Sequence, residues 1–323
     1  MSTTISERGS TVTPIIIPTK NSLQSVNFYI VQGENGITLI DAGYNNAKSF
    51  SALEQTLHQQ KKTITDIDQI LLTHHHIDHV GLVDQIVQQT KAPVYAHEKA
   101  IPRLKRDEIF LTQRAEFYEN LYEEMGCGKE SKPFVQRMEQ RAKEMGHEAI
   151  TATITPLSSE VFGFDVIETP GHAVDHVIFY DEKRCWLFAG DLLLSHTSTN
   201  ALVEPDENMN RLPTLVQYRN SLQQCAELNA EVTFSGHQEL IHNHTDLINT
   251  KLKRIDDKAA KFRNLISQGN TTAKDIAQSF YKKKFEAEFP LVMSEVIGHL
   301  DYLEENGKIS SFLQEGVRHY KVI

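Results

Sequence analysis

DQILLTHHHIDHVGLVDQIVQQT, residues 68–90, decides how this chain reads. It opens as an apolar run, breaks off in a cluster of histidines, and closes with the apolar spacing of a helix. In extended backbone, positions i and i+2 point to one side, so His74 and His76 can grip one cation together. Asp78 and His79 follow where the chain turns into the helix, within reach of a second cation. Imidazole and carboxylate are ligands that suit zinc, iron or manganese. A strand that ends in metal-capable side chains and passes at once into a helix is where α/β proteins place their sites.

The plain alternative is a polar loop that happens to be rich in His. It loses ground because three more segments repeat the theme. TPGH places His172 on a Gly-formed turn after a strand, FAGD places Asp191 at a strand end, and SGH places His237 after EVTF. Each is weak alone. Together with the first cluster they supply five His and two Asp, all at expected strand ends, enough for two metal sites with positions left for water and substrate.

Outward from these points the order of elements follows. TVTPIII, SVNFYIV and GITLIDAG alternate as short strands, Asn46 to about Lys61 is helical, and APVYAH returns to strand. Residues from about 100 to 150 are charged and helical in period, and are read as an inserted excursion. Strands resume in EVFGFDVIETPGH, HVIFYD and CWLFAGD. A loop at about 200–213 then leads to a helix near 213–229 and the strand EVTFSGH. From about Asp246 come a long helix (247–267), two further helical stretches, an Asn-Gly turn and two short β-like runs, the pattern of a winged-helix module. The expected division is 1–245 for a catalytic domain and 246–323 for the winged-helix-like domain.

The ordered set resembles the metallo-β-lactamase superfamily: Asp41 in LIDAG, then THHHIDH, TPGH, GD and SGH, over residues 12 to about 240. The resemblance implies an α+β fold, a four-layer αββα sandwich with the site along one sheet edge. It implies that His74, His76 and His172 bind the first metal, that Asp78, His79 and His237 bind the second, and that Asp191 bridges them. Asp78 and Asp191 are thereby the catalytic carboxylates, and Asp41 orients a ligand from behind. The cofactors expected are two divalent ions, zinc first, with iron or manganese also suited. The zinc β-lactamases of the family carry a Cys ligand and usually a secretory signal. Neither is evident here, which argues against antibiotic hydrolysis as the main role.

Two such ions lower the pKa of a shared water from about 15.7 toward about 7, giving hydroxide at neutral pH. Thiolate and alkoxide leave more easily than amide nitrogen, so the favoured substrate is a small ester, lactone or thioester. The alternative in the same fold is a metal-dependent phosphodiesterase or endoribonuclease. It would need a basic groove, yet residues 246–323 hold 13 Lys and Arg against 11 Asp and Glu, and the rest of the chain 20 against 32. With a formal net charge of −10, a nucleic-acid partner held by phosphate contacts is disfavoured. A DNA-binding regulator keeping the metal site as a relic is weaker still, since the ligand set is full.

No apolar run reaches the roughly 20 residues of a membrane span, and MSTTISERGS lacks a signal-peptide profile. Cys127, Cys185 and Cys225 are an odd, widely spaced set without a CxxC pair. A cytoplasmic location is expected. The other histidines take lesser roles in this reading. His75 should point away from the site as a structural residue, and His97 should serve packing or a substrate wall. His176 should begin the next strand, His242 and His244 should be solvated at a helix start, and His196 could touch substrate. Phe110, Phe117, Tyr118 and Tyr122 at helical spacing read as core packing or as a lid over an acyl chain. Lys282, Lys283 and Lys284 read as a solvated face, and the tail as a wall of the substrate entrance or a homodimer contact.

Overall fold

Side-chain alternation along the strands sorts this chain into layers. The computed structural model describes residues 4–323, so the first three residues of the polar N-terminal stretch lie outside the described residues. One sheet takes seven strands in chain order: β1 (Ile5–Glu7), β2 (Ser10–Pro18), β3 (Ser25–Gly33), β4 (Gly36–Ile40), β5 (Gln69–Leu71), β6 (Val94–Ala96) and β7 (Ile154–Pro156). It is antiparallel from β1 to β4 and parallel from β4 to β7. The second sheet contains β8 (Glu160–Val161), β9 (Phe164–Glu168), β10 (Val177–Asp181), β11 (Trp186–Gly190) and β12 (Val232–Ser235), with only β11–β12 parallel.

Successive residues of a strand face opposite sides of its sheet, and the cores obey this. Phe28, Ile30, Ile37, Leu39 and Ile70 pack outward under the helices Ala47–Gln59 and Val83–Thr90. Their neighbours Tyr29, Val31, Ile40 and Leu71 pack inward against Val177, Phe179, Trp186, Phe188 and Phe234 of the second sheet. Ile178, Tyr180, Leu187 and Ala189 then face the helices Thr214–Ala226 and His244–Ser267. Helix, sheet, sheet and helix give the expected αββα sandwich. The Ala47–Gln59 helix starts where Asn46 accepts the Ser49 N–H at 2.9 Å, an ordinary side-chain N-cap.

The insertion forms the helices Glu108–Glu124 and Gly128–Glu144, and the chain ends in helices from Ala273 to Glu305 and a hairpin of β13 (Ile309–Gln314) and β14 (Val317–Val322). These two parts share one core. Phe117, Tyr118, Leu121, Tyr122 and Val135 of the insertion pack with Phe262, Ile276, Phe289, Met293, Ile297 and Tyr320 of the tail. Of the two readings of the aromatic run, Phe117, Tyr118 and Tyr122 take the packing one. Phe110 lies under the Arg103 guanidinium, 4.7 Å from its ring centre. Glu204, buried, ties this lobe to the sandwich by accepting from Arg103 at 2.9 Å, from Arg114 and from Tyr118 Oη at 3.1 Å. Among the described residues no helix is long and apolar enough to cross a membrane.

Candidate metal centre

β5 ends at Leu71, residues 72–76 make an irregular connection that bends at Thr73, and Ile77–Val80 forms a single helical turn. Hence His74 and His76 project from the connection beyond the strand end, while Asp78 and His79 project from the turn. His172 arrives on the loop before β10, Asp191 directly after β11, and His237 shortly after β12. The structure brings all seven together. The ligand atoms of His74, His76 and His172 lie within 4.8 Å of one another, as do those of Asp78, His79 and His237, and His74, His79 and Asp191 form a third set between them.

Asp191 stands in the middle of the cluster. Its Oδ1 lies 3.4 Å from His79 Nε2, and its Oδ2 lies 3.4 Å from His172 Nε2 and 3.1 Å from His237 Nε2. The Asp78 carboxylate is 3.6 Å from His237 Nε2. Gly236 makes this closeness possible: a Cβ there would sit 2.5 Å from Asp191 Oδ1 and 2.7 Å from His79 Cε1.

Four of the five imidazoles have their far nitrogen committed as a donor, which fixes the tautomer. His172 Nδ1 donates to the Asn200 carbonyl at 2.9 Å, and His237 Nδ1 to the Ser25 carbonyl at 2.7 Å. His79 Nδ1 donates to the Asp41 carboxylate at 2.8 Å. Thr73 Oγ1 donates to that carboxylate at 2.9 Å and so accepts from His74 Nδ1 at 3.0 Å. On His74 and His172 the near nitrogens are therefore lone pairs aimed inward, whereas those of His79 and His237 point at the Asp191 carboxylate. His74 Nε2 and His172 Nε2 both face His76 Nδ1, at 2.9 and 3.0 Å, and at most one proton could sit among the three. Among the described residues, His79 Nε2 and Asp191 Oδ1 are buried with no hydrogen-bond partner. Converging lone pairs and stranded buried acceptors are costly unless a cation meets them. The donor set fits two divalent ions.

The electrostatics agree. Burial, then the neighbouring imidazoles, hold His74 and His76 well below the ordinary histidine range, and burial also lowers His172, so these rings are neutral. At His79 burial opposes the charged form, but Asp191, Asp41 and Asp78 outweigh it and raise the ring well above that range. His237 is likewise raised, chiefly by Asp191 against burial. Burial would raise the Asp191 carboxyl, but His79 and His237 prevail and hold it well below its usual range. Carboxylates that draw protons onto buried rings also draw a metal in their place.

A second ring of residues steadies the first. Asp41 adopts φ 59°, left-handed backbone that Asp tolerates better than most residues, and its carboxylate also receives the Thr73 N–H at 2.8 Å. His176 lies behind the centre, its ring 5.1 Å from that of His74, with Nε2 accepting the Asp191 N–H at 3.1 Å. Its pKa is pushed down to about 3 by burial and by His172. The sequence favours a strand start for His176 and leaves a contact behind the ligands as its alternative; the structure shows that contact. The expected outward turn of His75 brings it to Asp175, whose carboxylate it meets at 2.6 Å. Asp175 is fully buried and received no weight from the sequence, although GHAVDH holds both it and His176.

The remaining histidines stay outside the cluster. His97 caps a turn by accepting the Lys99 N–H at 3.1 Å and lies 3.4 Å from Glu168. His196 is exposed beside Glu239, at 3.5 Å. His242 is exposed as expected, but His244 is not solvated. The helix begins at His244 itself, and Nε2 donates to the Leu228 carbonyl at 3.1 Å, which turns the ring inward.

Comparison with known proteins agrees with this geometry. Residues 22–237 match the family model described as the metallo-beta-lactamase superfamily. A probable metallo-hydrolase of Bacillus subtilis, YqjP, is 31% identical over 320 residues, covering 97% of this chain and 98% of its own. The crystal structure of a metallo-beta-lactamase family protein from Thermus thermophilus superposes with a TM-score of 0.75 at 25% identity, covering 97% and 98% of the two chains. Over a shorter stretch, 128 residues or 40% of this chain and 35% of the relative, a hydroxyacylglutathione hydrolase of Bdellovibrio bacteriovorus is 27% identical.

Proposed function

This chain belongs to the metallo-beta-lactamase superfamily of metal-dependent hydrolases, and on that premise we propose that it cleaves a small ester, lactone or thioester at a dinuclear centre. One observation carries the reading: the near nitrogens of five imidazoles gather around the Asp191 carboxylate, and two of the buried atoms there, His79 Nε2 and Asp191 Oδ1, have no hydrogen-bond partner among the described residues. Divalent ions at such a site, zinc being our first choice, supply Lewis acidity and lower the pKa of water toward about 7.

The chain's own part is to fix the donors in place and to surround them with charge that draws a cation. His74, His76 and His172 offer neutral nitrogens on one side, while Asp78, His79 and His237 offer a mixed set on the other. Asp191 turns one oxygen toward His79 and the other toward His172 and His237, so a single carboxylate couples the two sets. Asp41 holds the His79 ring, Asn200 holds His172, and His176 pins the Asp191 backbone. Positions fixed in advance need no reorganisation when charge develops on the substrate.

A carbonyl substrate is favoured over a phosphodiester on two grounds. The chain carries a formal net charge of −10, so a polyanion gains little from it at long range. One relative is named for hydrolysis of a hydroxyacylglutathione. The proposal extends to a cytoplasmic location, since the three cysteines stand free. The test is metal content measured together with a panel of p-nitrophenyl esters, lactones, thioesters and bis-p-nitrophenyl phosphate. We expect about two metals per chain and chelator-sensitive carbonyl hydrolysis. Phosphodiester turnover without carbonyl hydrolysis would overturn the proposal.

A further inference from the structure

Beside the metal centre, on the far side of residues 197–201, a narrow pocket opens between that segment and the helices His244–Ser267 and Phe289–Glu305. Its wall is shared with the centre. The Asn200 carbonyl receives the His172 ring, and Thr199 Oγ1 donates to the Asp191 carbonyl at 2.8 Å.

Three features of the pocket remain chemically unmet. Lys251 is only 5% exposed, donates to the Thr197 carbonyl at 2.8 Å, and makes no ion pair among the described residues. The carboxylate that lines the pocket, Glu295, is already engaged by Lys258 and Tyr281. Arg254, one turn beyond Lys251, adds a second cation at the mouth. Burial first, then Arg254, lower the Lys251 ammonium to about 8, so it still carries its charge at neutral pH.

The other two features are acceptors. His299 is 2% exposed and its Nδ1 donates to the Glu295 carbonyl at 2.7 Å, so Nε2 is a lone pair, and it has no partner among the described residues. Asn200 Oδ1 is also buried without a partner, its amide being turned to the Leu291 carbonyl. Both residues line the pocket. Water could satisfy the two acceptors, but it cannot neutralise a buried ammonium. An anion without an O–H donor could neutralise the ammonium but would leave the acceptors stranded. A ligand that answers the ammonium and one of the acceptors carries a negative group and a hydroxyl together, leaving the other acceptor to water.

We propose that this pocket binds a small hydroxylated oxyanion, of the size of a short hydroxycarboxylate, with its charge on Lys251 and its hydroxyl donating to His299 Nε2 or Asn200 Oδ1. The site goes beyond the hydrolytic centre and does not depend on which bond that centre cleaves.

Calorimetric titration of the metal-loaded full-length protein tests it with three probes of similar size: glycolate, acetate and ethylene glycol. We expect glycolate to bind about tenfold more tightly than acetate, the worth of one good hydrogen bond, and ethylene glycol not to bind. Lys251→Met should weaken glycolate by at least about tenfold. Arg254→Ala, at an exposed position, should weaken it by about threefold and carries the test if the Lys251 variant does not fold. Glycolate that binds no better than acetate would overturn the proposal. So would glycolate affinity untouched by the substitutions, which would place the anion on the metals instead, or no saturable binding at all.

Discussion

Around Asp191 the chain buries imidazoles and carboxylates against one another, whereas the lobe formed by the insertion and the tail buries aromatic and aliphatic side chains such as Phe117, Tyr122, Phe262, Phe289 and Tyr320. Both regions draw on segments far apart in the chain. They differ in what their contacts are worth without a ligand. Apolar packing stabilises by itself, at about 25 cal/mol per Å² of apolar surface removed from water. The rim of the sandwich holds lone pairs that repel, so its arrangement is a cost that metal binding would offset. Activity should therefore be lost at the rim with the fold intact, and stability should be lost at the lobe with metal binding intact.

The largest effect expected is at Asp191. Asp191→Ala removes the carboxylate shared by both ligand sets, so turnover should fall to background and metal content below that of the parent, while circular dichroism stays unchanged. A variant with parental metal content and turnover would break the contrast at its strongest point.

Glu204→Gln should act in the opposite sense. The Glu204 carboxylate joins lobe to sandwich through Arg103, Arg114 and Tyr118, and removing one partner of a buried pair costs roughly 3–5 kcal/mol. Denaturant unfolding should record that loss, with metal content per folded chain unchanged. Its pH dependence has a definite sign. Burial opposes the charged form of Glu204, but Arg114 and Arg103 prevail and lower its pKa to about 2. A carboxyl depressed on folding contributes stability above its unfolded pKa of about 4.3 and loses it as the pH falls toward the folded value. The gap between parent and variant should therefore be full above about pH 5 and narrow toward about pH 2. A gap independent of pH would show that Glu204 is not acting as a carboxylate.

The smallest effect is at Asp41, which touches His79 but belongs to none of the three ligand clusters. Asp41→Asn should weaken metal binding by about 10–100-fold, the usual range for a residue that orients a ligand. Unchanged metal affinity would mean that the His79 ring is held by packing alone.

Much of the rim was legible because its signals are short and chemically unusual. HxHxDH at a strand end, TPGH, GD and SGH are patterns of rare residue types, and Gly236 and Gly171 stand where the close approach needs them. A Cβ at Gly171 would meet Tyr218 at 2.5 Å. The strands were legible for a related reason: period-two alternation in SVNFYIV or HVIFYD states which residues face which layer. Less could be read where a residue's role depends on a partner distant in the chain. Asp175 looks like any acidic residue until His75 is found against it. His176 gains its role only when Asp191 arrives 15 residues later. His244 looks like a polar helix start until Leu228 is found beneath it.

By itself, then, the sequence determined which donor atoms this protein can offer and on which side of which strand they stand, because both follow from residue type and from the local period of the backbone. Tertiary structure alone decided that the near nitrogens converge, and that the insertion and the tail close over a common core. It also decided that Lys251 is buried with no ion pair among the described residues. Those are contacts between segments tens to hundreds of residues apart, and no local pattern specifies them; they exist only once the two sheets have packed and carried their loops to the same edge.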